Sequence, residues 1–412
     1  MNKSPRLVAL ETLYSIFYDG SYSNIALDKA LSDIKENKAF ISALVYGVTE
    51  RKITLDYFID KYAQGRIKPK VRIVLWLGAY QLLFMDKVPS SASINESVKL
   101  VKEIKQDYYS KLVNAVLHKI DNDRQIPDDL SVKYSVPENL INMWKKQYGE
   151  DVLNEFLPCI NDKPPLFAIP NKKFVNSDEL LYELECDGIL GEAYDEFVLI
   201  ENANDLTDSK AFKNGLFYIE DLSSFNCANA LDALGDDLVL DMCSAPGGKA
   251  FTISQSMNNS GKIYCYDLHK HRLNLIKSSA KRLSIDNIYT DVNDATVYNE
   301  NIPKADKILC DVPCSGFGII RRKPEIRYKD LDSVKDLPQI QYKILETSSR
   351  YLKDGGRIIY STCTLNKKEN ENVVNKFLKD HSGYKLLKDK TVFPSTVGGD
   401  GFYYAIMVKN EN

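Results

Sequence analysis

Apolar residues recur three and four positions apart through the first 125 residues, as at Leu7, Leu10, Leu13 and Phe17 and again at Leu112, Ala115, Val116 and Ile120. That is the period of helices with one buried face. Ser93-Ile-Asn-Glu96 has the spacing of a capping box and predicts another helix opening there. Residues 1–125 are therefore expected to form an all-α bundle. From about Asp121 to Pro137 the chain turns polar and carries two prolines, which suits a linker.

Between 138 and 225 helical stretches (Leu140 to Tyr148, Ser177 to Cys186) mix with short apolar runs at Leu166 to Ile169, Phe197 to Ile200 and Leu216 to Ile219. This predicts a small α+β connecting domain, RRM-like in kind, over 126–225. Beyond 226 the pattern becomes strand, turn, helix. Strands are predicted at Leu238 to Asp241, Lys262 to Asp267, Asn287 to Tyr289, Lys307 to Asp311 and Arg357 to Ser361, with a helix over Arg272 to Leu283. Such alternation gives a mostly parallel, doubly wound, Rossmann-like α/β domain over 226–412. Its closing stretch, Thr391 to Lys409 around a turn at Gly398 to Gly401, is expected to add an antiparallel edge.

A chain of 412 residues exceeds one ordinary core, so several domains are expected, and 44% hydrophobic with 27% charged residues is a folded composition. The start lacks a signal-peptide core, and the longest apolar stretch, Val71 to Met85, carries Arg72 and is too short to span a bilayer. A cytoplasmic location with no membrane partner is expected. The eight cysteines include no Cys-x-x-Cys pair and the four histidines no His-Glu-x-x-His site, so neither a disulfide framework nor a metal is expected.

The net charge of −3 hides an asymmetry: residues 1–125 hold 19 Lys and Arg against 14 Asp and Glu, a balance of +5, leaving −8 for the remainder. Arg66, Lys68, Lys70 and Arg72 fall within seven residues. They make either a phosphate-facing patch or an ordinary solvated face, and the sequence weighs the two equally.

Ligands in a doubly wound sheet bind beyond the carboxyl ends of the strands. The first strand runs into Asp241-Met-Cys243-Ser244-Ala245-Pro246-Gly247-Gly248-Lys249, where the glycines permit a tight turn and close approach of a ligand. The glycine spacing is not that of a P-loop, and no Ser or Thr follows Lys249. Asp267 ends the second strand, where a carboxylate takes ribose hydroxyls, and Asp294 ends the third, where one can accept from an adenine amino group. Each alone reads as a helix cap or turn residue; three strand-end carboxylates together favour an adenosyl ligand. Cys314 in Asp311-Val-Pro-Cys and Cys363 in Ser361-Thr-Cys follow the fourth and fifth strands. A single cysteine there is ordinarily a small buried hydrophobe, but two facing one ligand crevice are hard to explain as packing.

Ala43-Leu-Val-Tyr-Gly47, Ala79-Tyr-Gln-Leu-Leu83 and Lys111-Leu-Val-Asn-Ala115 resemble segments of NusB-like helical domains. Asp241-x-Cys-Ser-Ala-Pro-Gly-Gly-Lys249, Asp311-Val-Pro-Cys314-Ser-Gly-x-Gly318 with Arg321-Arg-Lys-Pro324, and Ser361-Thr-Cys363 together resemble the RsmB/NOP (Sun) family of RNA cytosine-5 methyltransferases. Gly215 to Ser224 and Gly398 to Phe402 are similar to family stretches too, so the likeness covers nearly the whole chain. Ser244 stands where the family commonly has Ala, a small-for-small change.

The resemblance implies S-adenosylmethionine as methyl donor, bound by residues 243–249, Asp267, Asp294 and Asp311. It implies Cys363 as the covalent nucleophile, Cys314 as the thiol that assists product release, and Asp311 between cofactor and base. Cytosine C5 is a poor nucleophile, and a thiolate added at C6 makes it an enamine-like carbon able to take a methyl group. The implied partner is RNA, chiefly 16S ribosomal RNA, free or in an early small-subunit particle, with Arg321 and Arg322 joining the basic residues above in contacting it. No obligate protein partner is expected. Lys249, Arg322 or the sulfonium can each lower the Cys363 pKa, and the sequence does not choose among them. The alternatives are a transfer RNA target, a DNA enzyme attacking through the Pro-Cys cysteine, and a non-catalytic assembly factor, which has no use for two thiols.

Overall fold

The computed structural model describes residues 3–202, 206–394 and 398–411. They form two compact units, one of residues up to 162 with 320–329 and the other of 163–319 with 330 onward.

The first unit is helical: α1 (Pro5–Tyr18), α2 (Ser23–Leu31), α3 (Lys38–Tyr62), α4 (Pro69–Phe84), α5 (Ser90–Glu103), α6 (Ser110–Asn122), α7 (Leu130–Tyr134), α8 (Glu138–Tyr148) and α9 (Glu150–Phe156). Ser4 caps α1 by accepting from the Leu7 amide, with Pro5 at the first helical position. Helix α4 is apolar nearly all round and lies in the bundle centre, burying Val71, Ile73, Val74, Leu75 and Leu77. Leu13, Leu44, Val48, Phe58, Val113 and Leu117 complete that core.

Two local expectations fail here. Ser93 caps nothing: α5 has already begun at Ser90, and the Ser93 hydroxyl donates to the Gly78 carbonyl at 3.0 Å. The polar stretch before Pro137 is ordered, because α7 is tied to α3 by Thr54 Oγ1 donating to Val132 O at 2.6 Å and the Ile53 amide donating to Ser135 Oγ at 3.0 Å. Residues 320–329 thread into this unit. Arg327, 1% exposed, donates from Nη1 to Glu50 O at 2.9 Å, Ser135 O at 3.1 Å and Asn161 Oδ1 at 2.9 Å. Glu325 accepts from the amide and hydroxyl of Ser23, and the Tyr328 hydroxyl donates to Thr49 O.

The second unit opens with β1 (Leu166–Pro170), α10 (Ser177–Cys186), β2 (Gly191–Ala193), β3 (Val198–Ile200), α11 (Lys210–Lys213) and β4 (Phe217–Ile219). The strands form an antiparallel sheet in the order β2-β3-β1-β4. Ala168, Val198 and Phe217 pack on Leu180 and Leu184 of α10. The opposite face, Phe167, Ile169 and Tyr218, joins the larger core that follows, so both faces are covered.

That core surrounds α12 (Leu222–Asn229), β5 (Leu238–Asp241), α13 (Gly248–Ser256), β6 (Lys262–Asp267), α14 (Lys270–Arg282), β7 (Ile288–Val292), β8 (Ala305–Asp311), α15 (Leu337–Ser349), β9 (Leu352–Thr362), α16 (Glu371–Asp380), β10 (Tyr384–Val392) and β11 (Phe402–Lys409). The sheet order is β10-β11-β9-β8-β5-β6-β7, parallel from β9 to β7 and antiparallel at β10 and β11. Successive strand residues bury to opposite sides, Val239 and Leu309 into one cluster and Leu240 and Ile308 into another, as a sheet covered by helices requires. The five predicted parallel strands are present. The antiparallel pair is phased differently from the expectation, since its first strand runs from Tyr384 to Val392 rather than starting at Thr391.

Candidate active site

Parallel pairing carries the ends of four strands to one edge. Asp241 pairs with Cys265 of β6 and Leu309 of β8, and Asp311 pairs with Ser361 of β9. After β5 the chain is pinned by the Ser244 amide donating to Tyr266 O at 2.8 Å, then turns through Gly247 at φ +112° into α13. A side chain at Gly247 meets both that left-handed backbone and the Phe251 ring, 2.8 Å from an added Cβ.

The turn walls a cleft of about 200 Å³ lined by Glu220, Asp241, residues 243–246, Gly248, Lys249 and Asp311. Asp311 is held at both oxygens. Lys249 Nζ pairs with Oδ2 at 2.7 Å, and the Ser361 hydroxyl donates to Oδ1 at 2.8 Å. Burial works to lower the Lys249 pKa, yet the carboxylate of Asp311, with Cys227 and Glu220, holds it above the usual lysine range. Burial pushes Asp241 up to about 7. Glu220 is also pushed up to about 7 by burial, although Lys249 and the Thr252 hydroxyl pull the other way.

Asp267, 4% exposed, accepts from the His269 amide at 3.0 Å and pairs with Arg272 at 3.0 Å. Arg272 in turn donates to Ala245 O at 2.8 Å and ties Asp267 to the turn. Asp294 is not brought into the cleft. It accepts from the amide and hydroxyl of Thr296, as a turn residue does, and lines a separate exposed depression with Leu268, Asn293 and Tyr298.

The two thiols predicted to converge do so, with Cys314 Sγ and Cys363 Sγ 3.2 Å apart and both half-buried. Their loops touch through backbone: the Gly318 amide donates to Cys363 O at 3.1 Å, and a Cβ on Gly318 falls 2.8 Å from the same oxygen. The Cys314 pKa lies well above the usual thiol range, first through its hydrogen bond with Cys363, then through burial and the charges of Glu369 and Asp311. Cys227, Cys265 and Cys310 are fully buried packing residues whose pKa values burial raises.

Of the basic residues, Arg66, Lys68 and Lys70 are exposed, Lys68 donating to Gln106 and lying over the Tyr109 ring, Lys70 over Tyr14. Arg72 departs from the expectation, because its guanidinium is neutralised by Asp56 and Asp60, each at 2.7 to 2.8 Å. Arg321 departs too, being only 7% exposed; Arg322 beside it is half-buried. The motifs did not single out Glu220 or Glu369. A charged residue directly after β4 is a usable signal for Glu220, whereas Glu369 sits in Lys367-Lys-Glu-Asn-Glu-Asn372, which reads as a solvated charge run.

A family model described as 16S rRNA methyltransferase RsmB/F matches residues 228–408, and the NusB family matches residues 3–122. The probable ribosomal RNA small subunit methyltransferase B of Bacillus subtilis (strain 168) is 33% identical, over 98% of this chain and 99% of its own length. The chain belongs to the RsmB/F methyltransferase family. The crystal structure of PH0851 matches the RsmB/F chain with a TM-score of 0.83 at 27% identity, over 99% of this chain and 100% of that one. A methyltransferase homolog from Pyrococcus horikoshii matches at 25% identity and a TM-score of 0.60, over 68% of this chain and 98% of its own.

RsmB/F enzymes take their methyl group from S-adenosylmethionine. The cleft fits that donor. Asp241 Oδ1 and Ser244 Oγ are buried there without a hydrogen-bond partner in the protein, as is Asn293 Nδ2 beyond the next strand. Native interiors rarely leave such atoms unpaired, and a ligand rich in hydroxyl and amino groups satisfies them. Among the described residues no helix is long and apolar enough to cross a membrane.

Proposed function

We propose that this chain methylates carbon 5 of a cytosine in 16S ribosomal RNA, with Cys363 as covalent nucleophile and Cys314 as the thiol that releases the product. The observation that carries this reading is the 3.2 Å approach of two half-buried thiols beside the Lys249–Asp311 pair. Packing explains the fully buried strand cysteines and has no need of this pair.

S-adenosylmethionine, when bound, supplies an electrophilic methyl group. Cys363 adds as thiolate to C6 of the base, so the C5=C6 electron pair becomes available at C5. After C5 is methylated and loses its proton, the bond from Cys363 to C6 breaks and the ring regains aromaticity. Asp311 retains a lone pair on each oxygen beyond those used by Lys249 and Ser361, enough to accept from the cytosine amino group. Burial and the charge of Glu369 act against ionisation of Cys314, and its hydrogen bond with Cys363 makes the two thiols titrate as a pair. Residues 243–249 with Asp267 form the cofactor side, and Asp294 approaches the adenine from the neighbouring depression.

The helical unit, chiefly residues 1–125, acts as the RNA-binding domain, the small sheet within 126–225 as a connector and 226–412, apart from 320–329, as the catalytic domain, in the cytoplasm where ribosomal RNA is made. Arg66, Lys68, Lys70 and Arg322 contact phosphates. The target base leaves its stack to expose C6, which favours a loop or single strand in free RNA or an early particle.

The test is to map 5-methylcytosine in 16S and transfer RNA from cells with the protein, without it, and with Cys363→Ala. One 16S position lost in both the deletion and the variant is expected. Loss confined to transfer RNA shifts the target, and no loss anywhere leaves a non-catalytic RNA-binding factor.

A further inference from the structure

We infer that Glu369 is the positioning residue that clamps the Cys314 loop to the Cys363 loop and so sets the distance between the two thiols. The inference rests on the reading of those cysteines as the reacting pair.

Glu369 is 0% exposed, and four donors converge on its carboxylate. Oε2 accepts from the Ser315 amide at 2.8 Å and from Gln341 Nε2 at 2.9 Å; Oε1 accepts from the Ser315 hydroxyl at 2.6 Å and from Asn366 Nδ2 at 2.8 Å. Ser315 adjoins Cys314, and Asn366 lies three residues after Cys363. The same Gln341 amide also donates to Pro313 O at 3.0 Å, so the Pro-Cys bend is held from α15 as well. Thr364, next to Cys363, closes the circuit, its hydroxyl 2.7 Å from Ser315 Oγ and accepting from the Phe317 amide at 3.2 Å. The backbone of Glu369 is fixed in turn by the Tyr360 hydroxyl, which donates to its carbonyl.

An ionised carboxylate only accepts, and the groups facing it here donate. A carboxamide of the same shape sets an NH₂ against two of those donors, so a space-filling role and a clamping role part company at Glu369→Gln. Its charge also lies among the causes that hold the Cys314 proton in place. Glu369 touches neither base nor cofactor and acts through the two thiols.

The test compares wild type with Glu369→Gln in the full chain. Turnover on 16S RNA is expected to fall on the order of a hundredfold, the cost of displacing reacting groups by about an ångström, while KM for RNA and S-adenosylmethionine affinity by calorimetry stay close to wild type. A second arm reads geometry without the reaction. Diamide takes two electrons and two protons from a thiol pair to give a disulfide and the hydrazine, and peptide mapping follows the Cys314–Cys363 crosslink. That crosslink is expected to form quickly in wild type and at least about tenfold more slowly in the variant, the factor that 1.4 kcal/mol represents. If Glu369→Gln does not fold, Ser315→Ala with Asn366→Ala, which keeps the carboxylate and the Ser315 amide but removes the two side-chain donors of the loops, should slow the same crosslink. Wild-type crosslinking and turnover in a folded variant overturn the inference. Slowed crosslinking in a protein whose methylation does not need Cys363 leaves the clamp standing and removes the chemical reading instead.

Discussion

Two neighbouring parts of the same sheet edge treat polar atoms in opposite ways. Around Cys314 and Cys363 the loops are saturated, with Glu369 taking four donors and Thr364, Asn366 and Gln341 each bonded within the protein. In the cleft after β5, buried Asp241 Oδ1 and Ser244 Oγ have no partner, and Asp241 and Glu220 are both pushed up to about 7 by burial. If the two thiols act on one base as proposed, they benefit from being held beforehand. A cleft whose ligand brings its own hydroxyl and amino groups is completed only on binding, and its apo form carries the cost of unpaired groups.

The largest expected effect breaks the saturated side. Glu369→Ala removes the acceptor of four buried donors and should cost roughly 5 kcal/mol of unfolding free energy, measured by urea titration at fixed pH. A loss below about 1 kcal/mol means water replaces the carboxylate easily and the loops are not over-determined.

The next effect belongs to the unsatisfied side and depends on pH. Asp241 rises from 3.8, and Glu220 from 4.5, to about 7 on folding, so between those values the folded chain binds more protons than the unfolded one. Stability from these groups is full below about pH 4 and is lost as pH climbs through about 7. Asp241→Asn should therefore stabilise the ligand-free protein at pH 8 by roughly 2 to 4 kcal/mol while weakening S-adenosylmethionine binding. Equal stability at pH 5 and 8 relative to wild type contradicts the burial argument. Smaller again, Asp267→Ala should reduce cofactor affinity about tenfold, near 1.4 kcal/mol, with RNA affinity unchanged. Calorimetry of each ligand separates the two. The smallest change lies in the helical unit, where replacing Arg66, Lys68 and Lys70 by Ala should flatten the slope of log affinity against log salt for RNA by about two. An unaltered slope makes them a solvated face.

Much of this was readable from the chain. Strands β5 and β6 and helix α10 fall where apolar runs and their polar ends predicted them, because local pattern and tertiary burial agree there. The convergence of Cys314 and Cys363 follows from strand order alone, since β8 and β9 are parallel neighbours. Features decided by partners distant in sequence were not readable. Ser93 looks like a cap and instead bonds across to Gly78, and Arg72 looks like a free cation until Asp56 and Asp60 arrive from α3. Strand β10 begins at Tyr384, ahead of the expected Thr391; exposed Lys385, Lys388 and Lys390 give it the look of a loop, as charged edge strands do. Glu369 was hidden for the same reason in reverse, a buried carboxylate inside a run of charge.

On the proposed mechanism Cys363 attacks and Cys314 releases. The most direct measurement incubates each variant with 16S RNA and S-adenosylmethionine and looks for protein-linked RNA on a denaturing gel. Cys314→Ser should accumulate a methylated adduct that survives denaturation, and Cys363→Ala should form none and transfer no methyl group. An adduct in Cys363→Ala that is absent from Cys314→Ser reverses the roles, and methylation intact in both variants without an adduct contradicts covalent catalysis.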